Sequence, residues 1–257
     1  MSVNAPSPAL AGEGRGEGPR LSGDPLPGPL PPKGEGSFFL QLGTLLWKDL
    51  VGEWRRRELV TSLVVFSLLV LLVFEFAFDV RREQLPALAP GILWVTFVFA
   101  GVLSFNRAFA GERDRGTWEG LLLAPVDRGA IYLAKLLASL VFMLAVEAVT
   151  LVIFETFFDV PADAARLAAA VLGGTLGFAT VGTLFAAMTA GSRAREIFLP
   201  VLLFPVSVPV IIGAVKATGQ AFAGPAAGDY PWLGLVLAFD AIFLAVSFAV
   251  FEFVIEE

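Results

Sequence analysis

IYLAKLLASLVFMLAVEAVTLVIFETFF, residues 131–158, is the stretch that decides the fold. Its polar load is light, with Lys135, Glu147 and Glu155 its charged side chains. A bilayer core about 30 Å thick is crossed by about 20 apolar residues at 1.5 Å each. The run is therefore long enough to span, and to tilt strongly or pass beyond the membrane surface. Five more apolar segments flank it, at 59–78, 91–109, 167–190, 197–215 and 231–251, each near the same length. Three of the six carry acids. An acid at mid-membrane costs about 2.5–3.5 kcal/mol, while each Leu, Ile, Phe or Val contributes about −0.3 to −0.6 kcal/mol, so a dozen apolar residues outweigh one carboxylate. The sequence predicts six transmembrane helices.

Composition agrees. The chain is 56% hydrophobic in a count that leaves out its 26 glycines, and only 16% is charged. Soluble domains reach about 45–50% apolar with glycine included, so 24 phenylalanines here would leave wide apolar patches in water. Cys and His are both absent. That excludes disulfides, thiolate or imidazole metal sites, a thiol nucleophile and a histidine ligand to haem iron from this chain. The net charge of −6 matters less than where cations fall, because orientation follows Lys and Arg near span ends. With the N-terminus inside, Lys48, Arg55, Arg56, Arg57, Arg107, Arg113, Arg115, Arg128, Lys135, Arg193 and Arg195 lie on the inner side. The outer side holds Arg81, Arg82, Arg166 and Lys216. Both termini are thus expected in the cytoplasm, with the chain in the cell inner membrane. No nucleic-acid partner is expected.

Residues 1–36 are rich in Pro, Gly, Ser and Ala and poor in apolar side chains, which predicts a disordered cytoplasmic tail. No apolar h-region follows the start, so no signal peptide is expected. The membrane domain is expected to occupy 37–257. At its head, Phe39, Leu46, Leu50 and Trp54 share a helical face, with Trp47 beside them and Lys48 and Arg55 opposite. This predicts an amphipathic helix in the headgroup plane, anchored by Trp47, Trp54, Arg55, Arg56 and Arg57. A soluble amphipathic helix is the alternative.

The segment joining the second and third spans reads Glu112-Arg113-Asp114-Arg115-Gly116-Thr117-Trp118-Glu119-Gly120-Leu121-Leu122-Leu123-Ala124-Pro125. Gly116 permits a turn, Thr117 can cap a short helix, Glu119 suits its first turn and Pro125 ends it. Such a helix would present Trp118 and the leucines to a groove on a cytoplasmic partner. The plainer alternative is an ordinary connection with a short interfacial helix.

Glu112 followed by Gly116-Thr117, Glu119, Leu122 and Pro125 resembles the coupling segment of type-2 ATP-binding cassette permeases. More narrowly, the chain resembles the cytochrome c maturation protein B family, the permease subunit of a haem exporter. Pro90-Gly91-Ile92-Leu93-Trp94-Val95, Asn106-Arg107-Ala108-Phe109 and Leu203-Phe204-Pro205-Val206-Ser207-Val208-Pro209-Val210-Ile211 carry that resemblance. It runs from about residue 38 to the C-terminus and departs from the family at the long tail and at Gly120. The resemblance implies an all-α, type-2 permease-like fold and a homodimer. It also implies a cytoplasmic ATPase subunit that carries ATP and a further haem-handling membrane protein. No cofactor is expected in this chain, with haem as the transported substrate.

Within the spans, Pro205 and Pro209 each remove a backbone donor, which predicts a kinked or locally unwound helix beside Ser207. That feature either lines a substrate path or only improves packing. Glu75 and Glu155 lie near outer ends, whereas Glu147 and Asp240 are deeper with no cation at matching depth. Burial of the latter two requires protonation or a polar partner on another helix or subunit. Lys135 and Arg107 are expected to snorkel to the inner surface. No Gly-x-x-x-x-Gly-Lys-Ser/Thr loop is present, so ATP hydrolysis is expected elsewhere. The readings retained are a haem-export permease, a type-2 permease for a lipid-linked glycan or a drug, and a structural membrane scaffold. An intramembrane enzyme ranks last, because only acids and hydroxyls are left to supply a nucleophile and a base.

Overall fold

A computed structural model describes residues 35–55, 57–78, 85–109, 126–192, 194–224 and 231–256. All regular structure among them is helical: α1 (Glu35–Arg55), α2 (Arg57–Phe78), α3 (Leu85–Ala108), α4 (Arg128–Phe158), α5 (Ala164–Thr189), α6 (Arg195–Ala223) and α7 (Trp232–Glu256). Five helices, α3 to α7, are long and apolar enough to cross a membrane. Helix α2 adds a shorter apolar stretch, Thr61–Phe76. The described helices overlap the six apolar segments with shifted ends, and five of the six reach spanning length among the described residues.

The helix ends follow from local chemistry. Asp127 caps α4, its Oδ1 accepting from the amides of Gly129 (2.8 Å) and Ala130 (3.4 Å). At the other end Asp159 takes a left-handed conformation, φ 47°, and its N–H donates to the Glu155 carbonyl at 3.0 Å. Asp163 caps α5 in the same way, accepting from Ala165 and Arg166 at 3.0 and 3.1 Å. Its own amide donates to the Ala221 carbonyl of α6 at 2.9 Å, closing the α5–α6 hairpin.

The largest difference from expectation is the length of α6. It continues past Val215 to Ala223, because Ala214, Ala217, Thr218 and Ala221 extend a small-residue inward face while Lys216 points outward. The apolar segment 197–215 is thus only the first part of a longer helix.

Helix α5 is the hub, packed against α3, α4, α6 and α7. Its buried face is Gly, Ala and Thr with few large side chains. Lipid tails are as apolar as leucine, so helices associate there through close fit and polar contacts rather than hydrophobicity. Gly174 shows how close that fit is. A Cβ added there would collide with the Trp94 ring of α3 and lie 2.6 Å from the Ala214 Cβ of α6. Trp94 is buried and donates from Nε1 to Thr218 Oγ1 at 2.9 Å, tying α3 to α6. Tyr132 ties α4 to α5 by donating to the Thr180 carbonyl at 3.2 Å, and its ring meets Phe251 of α7 at 5.0 Å.

Helix α1 packs on α4 through a face that the apolar periodicity did not single out. Gln41 and Leu45 are buried and Asp49 is half-buried, whereas Phe39 and Trp47 are 75% and 71% exposed. Leu46 and Leu50 lie between these extremes. Two contacts also align the helices: Asp127 N–H to Gln41 Oε1 at 3.1 Å and Lys135 to Asp49 at 3.2 Å. Eight residues separate the contacts on each helix, so α1 stands alongside the first two turns of α4 rather than across its base. The physical reason is the polar stripe Gln41–Asp49, which satisfies itself on α4 and turns the aromatic face outward.

Candidate functional site

The buried polar groups converge on α5. Glu147 of α4 is 2% exposed, and Thr175 Oγ1 of α5 donates to its two carboxyl oxygens at 2.8 and 3.0 Å. The deep acid has therefore found a polar partner on another helix, one of the two outcomes its burial required. Glu147 also faces a narrow pocket between α2, α3 and α4, lined with Leu63, Phe97, Ser104 and Phe142. The space suits on the order of one water molecule.

Asp240 of α7 is buried as well, at 4% exposure, yet neither carboxyl oxygen has a hydrogen-bond partner among the described residues. It fills a groove cut by glycine. A Cβ on Gly177 would collide with Oδ1, and one on Gly173 would sit 3.8 Å from Oδ2. Two buried acids thus press on the same turn of α5, Glu147 at Thr175 from α4 and Asp240 at Gly173 and Gly177 from α7. Ser207 of α6 is fully buried, with its hydroxyl likewise unpartnered among the described residues.

The prolines separate from that serine. Pro205 and Pro209 are exposed on the outward face while Ser207 points in, and α6 is helical without a break from Arg195 to Ala223. Local unwinding is not observed. Glu75 and Glu155 are exposed near their helix ends. Among the described residues no group of three or more His, Cys, Asp or Glu is placed to hold a metal ion.

The coupling pattern Glu112, Gly116, Thr117, Trp118, Glu119, Leu122 and Pro125 lies outside the described residues, as does Arg56. Trp54, Arg55 and Arg57 fall at the α1–α2 junction, where the backbone alone is described. Trp47 is exposed, and Lys48 beside it pairs with Asp49 at 3.4 Å.

Lys135 corrects the snorkelling expectation. Its side chain is 7% exposed, Nζ lies 3.2 Å from Asp49 Oδ2 and 3.3 Å from Oδ1, and it sits 5.4 Å from the Phe109 ring centroid. The ammonium stays inside because α1 covers it and brings a carboxylate. Sequence reasoning missed Gln41, Asp49 and Thr175. For the first two a signal exists: Gln41, Leu45 and Asp49 recur every four residues, one polar stripe on one helix. Thr175 has no such signature, since threonine is frequent throughout α5.

A family model described as CcmB protein matches residues 40–255. The chain belongs to the CcmB protein family. Relatives named "Heme exporter protein B" agree. The protein from Pseudomonas aeruginosa is 30% identical over 188 residues, covering 72% of this chain and 83% of the relative. That from Escherichia coli K12 is 30% identical over 181 residues, 67% of this chain and 80% of the relative. That from Paracoccus denitrificans is 31% identical over 163 residues, 63% and 74% respectively. The CcmB match takes in Gln41, Asp49, Lys135, Glu147, Thr175 and Asp240, together with the whole segment 112–125.

Proposed function

We propose that this chain is the membrane permease subunit of an ATP-driven haem exporter, or haem-chaperone release complex, used in c-type cytochrome biogenesis. The observation that carries the reading is the CcmB match across 40–255, joined by relatives named as haem exporters. Five spanning-length apolar helices and a sixth, shorter apolar stretch support a six-span permease. Haem is the substrate, not a resident cofactor. The sequence contains no nucleotide phosphate loop, so a separate cytoplasmic ATPase supplies the energy and docks on Glu112–Pro125 through Trp118 and Leu122.

In this reading two copies of the chain form a homodimer beside a haem-handling membrane protein in the inner membrane, with both termini cytoplasmic. The outward aromatic face of α1, Phe39 and Trp47, rests in the headgroup region with Arg55, Arg56 and Arg57 at lipid phosphates. The α5-facing acids Glu147 and Asp240 and the Pro205–Ser207–Pro209 turn are its candidate working groups within the membrane.

The test is to purify the chain from membranes with its candidate ATPase and measure ATP hydrolysis with and without haem, and haem delivery to an outer-face acceptor. A stable complex with haem-stimulated hydrolysis, lost in Trp118→Ala, is expected. Failure of any ATPase to co-purify overturns the reading, and stimulation by a lipid-linked glycan instead of haem assigns the permease another substrate. Because the chain has no cysteine, Arg115→Cys gives a unique label. It should resist a membrane-impermeant maleimide in intact cells and react after lysis.

A further inference from the structure

The described residues that flank 110–125 are Phe109, at the end of α3, and Val126, just before α4, and α1 is tied to both sides, directly at Asp127 and through Lys135 at Phe109. On the returning side, the Asp127 amide donates to Gln41 Oε1 of α1 at 3.1 Å, at the residue whose side chain caps α4. Gln41 is almost wholly buried, so its amide group is costly to leave without a partner. On the departing side the connection runs through one cation. Lys135 of α4 is ion-paired to Asp49 of α1 and lies over the ring of Phe109, the last described residue before the segment. Phe109 is 1% exposed, so ring and ammonium meet where solvent screening is weak.

Three elements therefore share one fastening: α1 supplies Gln41 and Asp49, α4 supplies Asp127 and Lys135, and the end of α3 supplies Phe109. Each contact alone is modest. Together they fix two points eight residues apart on both α1 and α4, which resists rotation as well as separation. An apolar contact at the same place would allow sliding, since in a membrane-proximal setting apolar surface gives little directional preference.

We infer that α1 is the fixed post against which the 110–125 segment works, with Gln41, Asp49 and Lys135 acting as positioning residues for force transfer between the ATPase and the spans. The inference rests on the proposed function for its ATPase, while the fastening itself does not. Breaking the fastening leaves the ATPase docked but lets the roots of the segment move independently of α4, so hydrolysis proceeds with less output per turnover.

The experiment uses the full complex. Spin labels at Gly43→Cys, where nothing lies within 4 Å of an added Cβ, and at Arg115→Cys report the distance between α1 and the segment. Wild-type contacts should give a narrow distance distribution, which Asp49→Asn, Lys135→Met and Gln41→Met broaden. In the same variants, unlabelled, haem delivered per ATP hydrolysed should fall about fivefold or more, the scale of a modest coupling free energy, while ATPase binding persists. The reciprocal exchange Asp49→Lys with Lys135→Asp should restore the ratio, and a fall in haem per ATP while ATPase binding persists is what a merely structural loss would not give. Asp49→Asn keeps the size of the side chain, Lys135→Met removes the ammonium without leaving a buried charge unpaired, and persistent ATPase binding shows that each variant is folded. Unchanged distances and an unchanged ratio in both Asp49→Asn and Lys135→Met overturn the inference. Broadened distances in a chain that binds no ATPase would instead overturn the proposed function and leave the fastening standing.

Discussion

Helices α5 and α7 are both apolar enough to cross a membrane, yet they are used in opposite ways. Helix α7 is the more hydropathic, built from Phe, Leu and Val, and most of its surface is exposed around a buried stripe at Val236, Phe239, Asp240 and Phe251. Helix α5, the less hydropathic, is buried nearly all round. In water the ranking would be reversed. Here burial follows side-chain size, because lipid already solvates apolar bulk and only close approach or a polar contact favours protein over lipid.

The strongest way to break that comparison is to give α5 bulk. Gly174→Ala should destabilise by about 3 kcal/mol, because the rigid Ala214 Cβ and the buried Trp94 ring cannot both move aside. Denaturant unfolding in bicelles, followed by circular dichroism, measures it. A cost near zero would show that the α3–α5–α6 contact is loose. Next comes the polar contact. Thr175→Val removes the donor to Glu147 and should cost about 1.5 kcal/mol, whereas Thr175→Ser keeps the hydroxyl and should recover most of it. Thr218→Val, which deletes the acceptor of Trp94 Nε1, should cost about 0.6 kcal/mol and shift Trp fluorescence. The smallest effect sharpens the contrast. Gly234→Ala on α7 makes the same chemical change as Gly174→Ala but meets only Pro231 at 4.0 Å, so stability should stay within about 0.5 kcal/mol of the parent.

The helical bundle was legible because the apolar run 131–158 and four of its companions give helices of spanning length, a property of each segment alone. Which face of a segment packs is a property of pairs. Periodicity put Phe39, Leu46, Leu50 and Trp54 together but did not say that the opposite polar positions, Gln41 and Asp49, would pack on α4. Lys135 carries the same lesson. Read alone, a lysine near a span end snorkels, and only the carboxylate on α1, 86 residues earlier, keeps it inside. Glu147 was recognisable as an acid in need of a partner, but Thr175 could not be chosen from the many threonines of α5. The apolar segment was read as ending at Val215, whereas the helix runs on to Ala223, because the alanine spacing that continues the packing is a weaker signal than hydropathy. The coupling pattern at 112–125 remains a reading of the residues themselves.

The bond from the Asp163 amide to the Ala221 carbonyl bears on how the chain is threaded into the membrane during synthesis. Helix α5, thin and rich in glycine and threonine, makes a poor stop signal for a translocon that weighs each emerging segment by its greasiness. Its start is completed only when the far end of α6 arrives beside it. The two segments therefore suit delivery as one hairpin, the oilier following strand escorting the leaner one out of the channel.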